Sequence, residues 1–450
     1  MTGLHRAPWS RRRVALAGGL ALVAAAVAGY FAFVREPPPD TARAGPGYWV
    51  STRGSDDAPG TPGRPWRTVG HAVGSAPAGA RIFLRAGSYS PFTVPRRDLT
   101  ISSAPGERAE IVGRAGTRDV ILITASGVTV ADLTVRGCVP KRDPDVNVSG
   151  DHGSGIRVTK AGQVAIRDVT VRDSHGTNSA GKPVGCYGIL VTESRDVQIT
   201  GSELYHNGAG IVIHGGGRGV LVDGNNVHDQ DVIVQNTAAP EDDFGGYGLG
   251  ATFITDKPGP VFRGNIVLRN HGPSTDYRVD GGGMELYQAS NTTVTGNTFQ
   301  ANDGVLETGT GAGGRCTGNV FTRNTAVGGA APAGFDRDTG LVLRCAADSV
   351  ISGNTFTDLD RFTFLLATGG SFAGSLDGLR ITGNTVTYRK GTVAYRLQYA
   401  AGRPGVTIDG NRYRGGGRFA VPDGARSETA VSFADWRSRT GYDSKSTATG

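Results

Sequence analysis

The stretch Thr293-Val-Thr-Gly-Asn-Thr-Phe-Gln300 is one copy of a short string that recurs through the chain and decides its fold. Each copy sets an Asn, or a residue that replaces it, between two short runs in which apolar and polar residues alternate. Such alternation is the period of a β-strand with one buried face. The spacing between copies varies, so the strands are constant while the connecting loops change. Clear copies carry Asn225, Asn265, Asn297, Asn319, Asn354, Asn384 and Asn411, and degenerate copies put Leu133, Val169 and Ser202 in the same column.

A second string, Gly followed by an apolar residue, precedes the Asn column in most repeats by 13 residues. Each repeat therefore predicts a strand, a turn, a second strand, an Asn corner and a third strand. One such coil cannot bury its apolar face alone, but stacked coils bury a continuous column. The sequence thus predicts an all-β fold, a right-handed parallel β-helix of about ten coils. The apolar residues of the second string are Ile156, Ile189, Ile211, Met284 and Leu341, and the same offset adds Leu306.

Composition excludes several other classes of protein. Glycine supplies 71 of 450 residues without a Gly-X-Y period, so the chain is not collagen-like. A hydrophobic share of 38% argues against disorder, and a charged share of 19% against a long helix. The net charge of +7 falls to +2 without residues 1–35, which hold five arginines and no acid. We therefore expect no nucleic-acid partner.

The N-terminus carries a segment typical of proteins exported from the cytoplasm. Three arginines at residues 11–13 precede an uncharged Ala-, Val- and Leu-rich run of 21 residues, 14–34. This run is long enough to span a bilayer about 30 Å thick as a helix. A signal peptide cleaved after Ala26-Val27-Ala28 fits equally well. Either alternative for residues 1–35 puts the rest outside the cytoplasm, secreted or anchored to the membrane, after a Pro-rich linker at residues 36–47.

The remaining chain divides into a cap, a solenoid and a tail. Residues 48–95 predict an N-terminal cap made of a short strand, a Gly/Pro turn and a helix around residues 67–76. An uncovered solenoid end would be a template for edge pairing, which is the reason to expect a cap. The coils then occupy residues 96–415, and residues 416–450 form a short C-terminal tail.

Both ends of this body resemble a known superfamily. The string Tyr48-Trp-Val-Ser-x-x-Gly-Ser-Asp56, with Trp66 and Tyr89 further on, is similar to the opening motif of secreted β-helix proteins of the pectate-lyase-like superfamily, which includes polysaccharide lyase family nine. The tail from Trp436 to Asp443 resembles the closing motif of many actinobacterial members. The resemblance covers residues 48–445 and implies a polysaccharide substrate, bound along the first strand of each coil between variable loops.

Four cysteines are too few for a disulfide scaffold, and their spacing does not suit zinc. Cys138 and Cys186 lie in or beside loops of neighbouring repeats, so a bridge between them is plausible. Cys316 occupies a position where other repeats carry Val or Ile, which predicts a small buried hydrophobic residue.

Two glutamates are the strongest candidates for catalysis. The offset of 13 puts Glu285 and Glu307 at the same outward position on adjacent coils. Like charges stacked across neighbouring strands are destabilising unless a proton, a cation or a ligand compensates them, or the side chains splay into solvent. Strands about 4.8 Å apart suit a retaining glycosidase, with Glu285 as nucleophile and Glu307 as acid/base. Asp280 is a third carboxylate, a calcium ligand or a simple turn residue.

A uronate lyase is the alternative chemistry. It requires a base and a cation that neutralises the sugar carboxylate. The acidic run containing Asp242 and Asp243, with Asp256 behind it, offers oxygen ligands for calcium, whereas the glycosidase alternative needs no cofactor. Lys160, His214 and Arg344 are candidate bases or substrate contacts. The lysine motif expected of family nine is not evident, which argues against a direct transfer of its mechanism.

Two further residues complete the candidate set. Tyr287, outward beside Glu285, is suited to stacking on a sugar, and His271 lies in a long loop next to Gly272. His214 is expected three coils before Glu285, about 14 Å away. The leading hypothesis is a monomeric extracellular glycosidase acting on a polysaccharide. The alternatives are a calcium-assisted lyase and a non-catalytic β-helix that binds glycans or cell walls.

Overall fold

The computed structural model describes residues 47–450 except 115, 141–151, 238, 240–241, 330–338, 389–391, 400–403 and 423–427. The predicted signal or anchor at residues 1–35, and the linker up to residue 46, lie outside the described residues. Within the described part of the chain, no helix has both the length and the apolar character needed to cross a membrane.

Residues 48–450 wind into coils whose strands align in three faces, the cleft face, the middle face and the rear face. Cleft-face strands are Phe92–Val94, Asp119–Ile123, Ser154–Thr159, the first part of Tyr187–Thr200, Ala209–Gly216, Tyr247–Thr252, Gly282–Tyr287, Gly304–Gly309, Thr339–Leu343, Phe362–Ala367, Val393–Gln398, Arg418–Pro422 and antiparallel Glu428–Val431. Middle-face strands are Tyr48–Val50, Arg81–Leu84, Thr100–Ser103, Thr129–Ala131, Gly162–Arg167, the second part of Tyr187–Thr200, Leu221–Asp223, Val261–Arg263, Thr293–Thr295, Val320–Thr322, Val350–Ser352, Arg380–Thr382 and Thr407–Asp409.

The rear face completes each coil, and nearly all strand pairs are parallel between successive coils, as a β-helix requires. Rear-face strands are Gly87–Tyr89, Ala109–Val112, Leu133–Arg136, Thr170–Thr177, Glu203–Asn207, Asn226–His228, Ile266–Leu268, Thr298–Gln300, Thr325–Val327, Thr355–Thr357, Thr385–Thr387, Arg412–Arg414 and Thr447–Thr449. Three loop strands pair antiparallel, namely Pro183–Gly185 with Thr170–Thr177, and Gly272–Ser274 with Arg278–Asp280.

The interior is a continuous apolar column, as the alternating pattern predicts. Met284, Leu306 and Leu341 pair in register on successive cleft-face strands and are almost fully buried. Phe262 and Phe299 fill the same interior from the other two faces. Burial of this shared column is what stabilises a coil that could not fold alone.

A ladder of buried asparagines marks the corner between the middle and rear faces. Asn354 shows the pattern: its Oδ1 accepts from the Asn324 backbone N–H at 2.8 Å, and its Nδ2 donates to Asn384 Oδ1 at 2.9 Å. The ladder runs through Asn225, Asn265, Asn297, Asn324, Asn354, Asn384 and Asn411, with Ser202 and Ser446 at its ends.

One predicted member of this ladder is wrong. Asn319 lies at the preceding corner, where its Oδ1 accepts from the Thr292 backbone N–H at 3.0 Å. The Gly-Asn string of this repeat lies at Asn319, whereas the ladder residue Asn324 follows Arg323, so only the three-dimensional register identifies the correct corner. A second ladder at the far end of the rear face, which the sequence did not reveal, joins Asn207, Gln230, Asn270 and Asn302.

The N-terminal motif is a folding device. Asp56 Oδ1 accepts from the backbone N–H groups of Arg67 and Thr68, both at 2.9 Å. Thr68 in turn caps the helix Val69–Ser75, close to the predicted 67–76, by accepting from the His71 N–H. These contacts account for the opening motif without reference to any substrate.

The C-terminal motif has a similar role. Trp436, on the helix Phe433–Thr440, is fully buried over the last coils, and Asp443 is buried beside it. The Asp443 carboxyl accepts from Trp436 Nε1 at 2.8 Å and from the Tyr413 hydroxyl at 3.0 Å. The tail therefore plugs the solenoid end that would otherwise be open.

Both pairs of cysteines form disulfides. The bridge between Cys138 and Cys186 agrees with the sequence expectation. Cys316 is buried, as predicted, but it is bonded to Cys345 on the next coil, which the sequence did not suggest. Both cysteines precede the middle-face strands of adjacent coils, where Thr317 pairs with Ala347.

We expect the substitution Asn354→Ala to lower the free energy of unfolding by about 2–4 kcal/mol, because it removes both ladder contacts and leaves buried partners without hydrogen bonds. Denaturant unfolding measures the change. The control is Thr357→Ala on the outward side of the adjoining rear strand, with an expected effect within about 0.5 kcal/mol. Equal effects of the two substitutions would contradict a stabilising role for the ladder.

Candidate active site

The outward side of the cleft face carries the two glutamates in register. Glu285 pairs with Glu307 on the next coil, as the sequence offset predicts. On the preceding coil the same column holds Gly250, which has no side chain, so space is left beside Glu285. Further along, the column holds Val212, Leu190 and Arg157 on successive strands.

Loops cover one side of this column of outward-facing residues. Leu190 and Val212 point outward yet are buried, because Val234 and Phe244 of the loop between residues 228 and 246 pack over them. A hairpin of Gly272–Ser274 and Arg278–Asp280 stands beside this loop and ends directly before the Glu285 strand. The two glutamates consequently lie at the base of this loop and the hairpin, and not on an open surface.

Tyr247 links Asp280 to the glutamates. It lies at the start of the strand before that of Glu285, and its hydroxyl donates to Asp280 Oδ1 at 3.0 Å. Burial, together with the charge of Asp280, raises the pKa of the Tyr247 phenol well above its usual value. The tyrosine therefore stays a neutral donor at physiological pH, positioned between two carboxyl groups.

The electrostatics of Asp280 and Glu285 set them apart from ordinary surface acids. Burial by the surrounding loops, reinforced by the neighbouring Asp280 charge, raises the pKa of Glu285 to about 8. Burial also raises the pKa of Asp280 to about 7, against the opposing effect of the Tyr247 hydrogen bond. Glu285, with a pKa of about 8, is therefore largely protonated at neutral pH and can donate a proton, whereas Asp280, with a pKa of about 7, is about half protonated.

Glu307 has a different environment. The Arg344 guanidinium on the next coil forms an ion pair with the Glu307 carboxylate. The Arg344 backbone N–H donates to Thr308 Oγ1 at 3.2 Å, and Cys345, its neighbour, is tied to Cys316. The repulsion between the two carboxylates that the sequence predicts is therefore reduced in two ways. Arg344 compensates the charge of Glu307, and the raised pKa of Glu285 favours its neutral form.

A row of aromatic rings runs along the axis beside the glutamates. The His214 and Phe253 rings are 5.1 Å apart, Phe253 and Tyr287 are 5.6 Å apart, and Tyr287 and Phe372 are 6.4 Å apart between centroids. We call these four residues the aromatic row. Phe253 is 45% exposed, one of two large hydrophobic residues so exposed in the described part of the chain.

The other predicted contacts occupy separate positions. His214 lies on the second strand before that of Glu285, so the expected separation of three coils is wrong. The second string also omits the intervening strand Tyr247–Thr252, whose Leu249 precedes Asn265 by 16 residues in place of 13, but an omitted strand does not explain a separation that was counted too large. Burial lowers the pKa of His214, whose Nδ1 lies 2.9 Å from Thr252 Oγ1.

Lys160 and His271 make contacts with neighbouring coils around the cleft. Lys160 lies at a corner of the cleft face, 3.6 Å from Glu193. His271 Nδ1 lies 2.6 Å from Asp303 Oδ2 of the next coil, which ties the hairpin loop to the solenoid. Neither residue lies in the column of the two glutamates.

The predicted calcium ligands are only partly brought together. Asp242 and Asp243 cluster with Asp276, whose role the sequence did not suggest, and their carboxylate oxygens lie within 4.8 Å of one another. Asp256 is not in this cluster and instead accepts from the Arg218 backbone N–H at 3.0 Å, so the predicted set of three is wrong.

The donors around the cluster do not fit a calcium ion. Asp243 Oδ2 accepts from Ser274 Oγ at 2.6 Å and from the Thr275 N–H at 2.8 Å, and Oδ1 accepts from the Thr237 N–H at 2.7 Å. Asp276 Oδ2 accepts from the Asp242 N–H at 3.0 Å. These oxygens already accept hydrogen bonds from N–H and O–H groups, whereas a calcium ion takes six to eight oxygen ligands. The cluster joins the loop between residues 228 and 246 to the hairpin.

The comparisons with known proteins agree with this architecture. The family model described as a right-handed beta helix region matches residues 120–336. The chain is a right-handed parallel β-helix. A DFA-IIIase from Arthrobacter chlorophenolicus A6, solved without its lid in complex with GF2, is 14% identical with a TM-score of 0.52 over 81% of this chain and 94% of that one.

A second structure of that DFA-IIIase without its lid is 13% identical, with a TM-score of 0.50 over 80% of this chain and 94% of the other. Among curated proteins, none matches the chain at a significant level. Identities this low establish the shared β-helix fold alone.

We expect the substitution Glu285→Gln to stabilise the protein at alkaline pH. Because the folded-state pKa is raised from 4.5 to about 8, native Glu285 holds a proton that the unfolded chain releases. The wild type therefore loses stability as the pH rises through this window. The variant should gain about 2–4 kcal/mol relative to wild type between pH 5 and pH 9, measured by unfolding at several pH values.

Glu110→Gln provides a control of opposite sign. The hydrogen bond from Arg136 lowers the pKa of Glu110, so its contribution is present above the usual carboxyl pKa and is lost as the pH falls. This variant should be less stable than wild type at pH 7 and approach it in acid. A pH-independent effect of Glu285→Gln would contradict the buried, protonated state of Glu285.

Proposed function

We propose that this β-helix is a carbohydrate-active enzyme that cleaves a glycosidic bond in the cleft above Glu285 and Glu307. The observation that carries the proposal is the in-register pair of carboxyl groups in two different environments, beside a row of aromatic rings. Two carboxyl groups that flank the scissile bond are the minimal machinery of glycoside hydrolysis. The fold shared with a DFA-IIIase, a carbohydrate-active enzyme, is consistent with this chemistry.

The environments favour Glu285 as general acid, the reverse of the order expected from the sequence. Glu285 keeps its proton near neutral pH because burial raises its pKa to about 8, and a general acid must hold a proton to give to the leaving oxygen. Glu307, whose charge Arg344 compensates, is suited to act as the anionic partner, as nucleophile or as base. Different environments for two carboxyl groups are the usual basis for dividing these roles.

Asp280 and Tyr247 act through Glu285. The Tyr247 hydroxyl, which donates to Asp280, fixes the orientation of the carboxyl groups at the foot of the hairpin. The charge of Asp280 contributes to the raised pKa of Glu285. We therefore assign Asp280 and Tyr247 as positioning residues, which tune the acid without contacting the reacting bond.

We also propose that the protein works outside the cytoplasm. Two disulfides, Cys138–Cys186 and Cys316–Cys345, are typical of oxidising compartments. The hydrophobic segment predicted at residues 14–34 supports the same location. The calcium-assisted lyase is the weaker alternative, because the oxygens of Asp242, Asp243 and Asp276 are used by the loops that they join.

We expect Glu285→Gln and Glu307→Gln each to reduce kcat by at least about a thousandfold on any polysaccharide that the wild type cleaves, since each removes one half of the acid and base pair. The measurement is a reducing-end assay over a polysaccharide panel. Wild-type kcat should fall above about pH 8, where Glu285 loses its proton.

Glu193→Gln is the matched control, because Glu193 lies exposed at a corner of the same face, where its carboxylate is 3.6 Å from Lys160 Nζ and outside the column of the two glutamates. It should retain wild-type activity. Unsaturated uronate products that disappear with chelator would establish the lyase alternative. Binding without any product would overturn the enzymatic proposal and favour a glycan-binding protein.

A further inference from the structure

The aromatic row has a feature that packing alone does not explain. Phe253 occupies the corner residue that follows its cleft-face strand, with φ of 57°. The same corner is left-handed on four other coils, at Lys160, Glu193, Gly215 and Gln288. A bulky aromatic residue is strained in this region of backbone conformation. The chain nevertheless keeps a phenylalanine there, and leaves 45% of it exposed.

A row of half-buried rings with one exposed member, Phe253, offers apolar surface to the apolar faces of sugars. The row begins at His214 and passes through Phe253 and Tyr287 to Phe372. Its first three members lie on successive coils, so the row follows the axis at about 4.8 Å per step. Gly309 lies against both of the last two rings, since a Cβ at this position would be in ordinary van der Waals contact with them, 3.4 Å from Phe372 Cβ and 3.8 Å from the Tyr287 ring.

The charges along the cleft do not suit an acidic sugar. Arg157 is bound to Asp119 at 2.8 Å, Lys160 lies 3.6 Å from Glu193, and Arg344 pairs with Glu307. No ion pair reaches Glu285 or Asp280 within the residues that the structure describes. A uronate carboxylate bound here would meet carboxyl groups and cations that are already compensated, which is unfavourable.

From these observations we propose that the aromatic row is the binding floor for an uncharged glycan, laid along the solenoid axis with Phe253 as a stacking residue next to the catalytic pair. The inference rests on the proposed function only in taking the same cleft. It adds the class of substrate, neutral sugars in place of uronates, and a residue that determines affinity.

The substitution Phe253→Gly separates binding from folding. Glycine tolerates the left-handed corner, as Gly215 does on the preceding coil. The variant should therefore keep or raise the thermal midpoint of the wild type while it loses the ring. We expect it to bind neutral glycans about tenfold more weakly, whereas Phe253→Tyr should retain binding.

Glu193→Gly is the matched control, because it relieves the same left-handed strain two coils earlier without removing an aromatic side chain. It should bind as the wild type does. The full chain carrying Glu285→Gln serves as background, so that bound glycan is not consumed. Affinity electrophoresis uses dextran, galactomannan, xyloglucan and fructan as neutral probes, with polygalacturonate, alginate and hyaluronate as acidic probes.

The outcomes distinguish this inference from the proposed function. Retention by a neutral probe that depends on Phe253 supports the inference, even if the wild type cleaves nothing and the enzymatic proposal fails. Stronger retention by an acidic probe, or cleavage of uronate polymers, overturns it while leaving an enzyme in place. Equal binding by Phe253→Gly and its parent, or no retention by any probe, also overturns it.

Discussion

The structure depends on hydrogen bonding between coils, which holds every strand in register with the one before it. Backbone bonds along the axis are reinforced at the corners by asparagines such as Asn354, whose side chain bonds to the coil on either side. Because a one-residue slip in a strand exchanges its inward and outward faces, this ladder also fixes which side chains face outward. The functional surface is therefore a consequence of register.

Register brings together carboxyl groups that are distant in sequence, and the loops then decide their chemistry. Glu285 and Glu307 are outward neighbours because their strands pair in parallel. Their environments diverge because burial and the charge of Asp280 raise the pKa of Glu285, while Arg344 from the following coil pairs with Glu307. A rigid scaffold with variable loops is a common way to hold polar groups in an unfavourable environment.

Particular residues show how much of the structure can be predicted from the sequence. The offset of 13 residues predicted the stacking of Glu285 on Glu307, but the agreement was fortuitous. It was counted from Leu306 to Asn319, which is not on the corner ladder, and the turn that follows Gly304–Gly309 is longer than the turn that follows Gly282–Tyr287. The offset failed at Leu249, where a longer turn hid a whole strand, and with it Tyr247 and Phe253. The Gly-Asn string at Asn319 misled the assignment of the corner, because the ladder residue Asn324 follows Arg323 and lacks the glycine of the other copies. Roles were harder to predict than positions, because the raised pKa of Glu285 depends on burial in the folded chain and on the charge of Asp280, and neither follows from the strand periodicity.

The sequence by itself determined the β-helix, the inward and outward faces of most strands, and the candidate glutamates, because these follow from local periodicity repeated coil after coil. Only the tertiary structure decided which carboxyl group is buried, which is paired with Arg344, that Cys316 bonds to Cys345, and that Asp256 is separate from Asp242 and Asp243. These features depend on how loops of unequal length fold over a regular scaffold. Loop packing has no sequence period, so it becomes visible only in the folded chain.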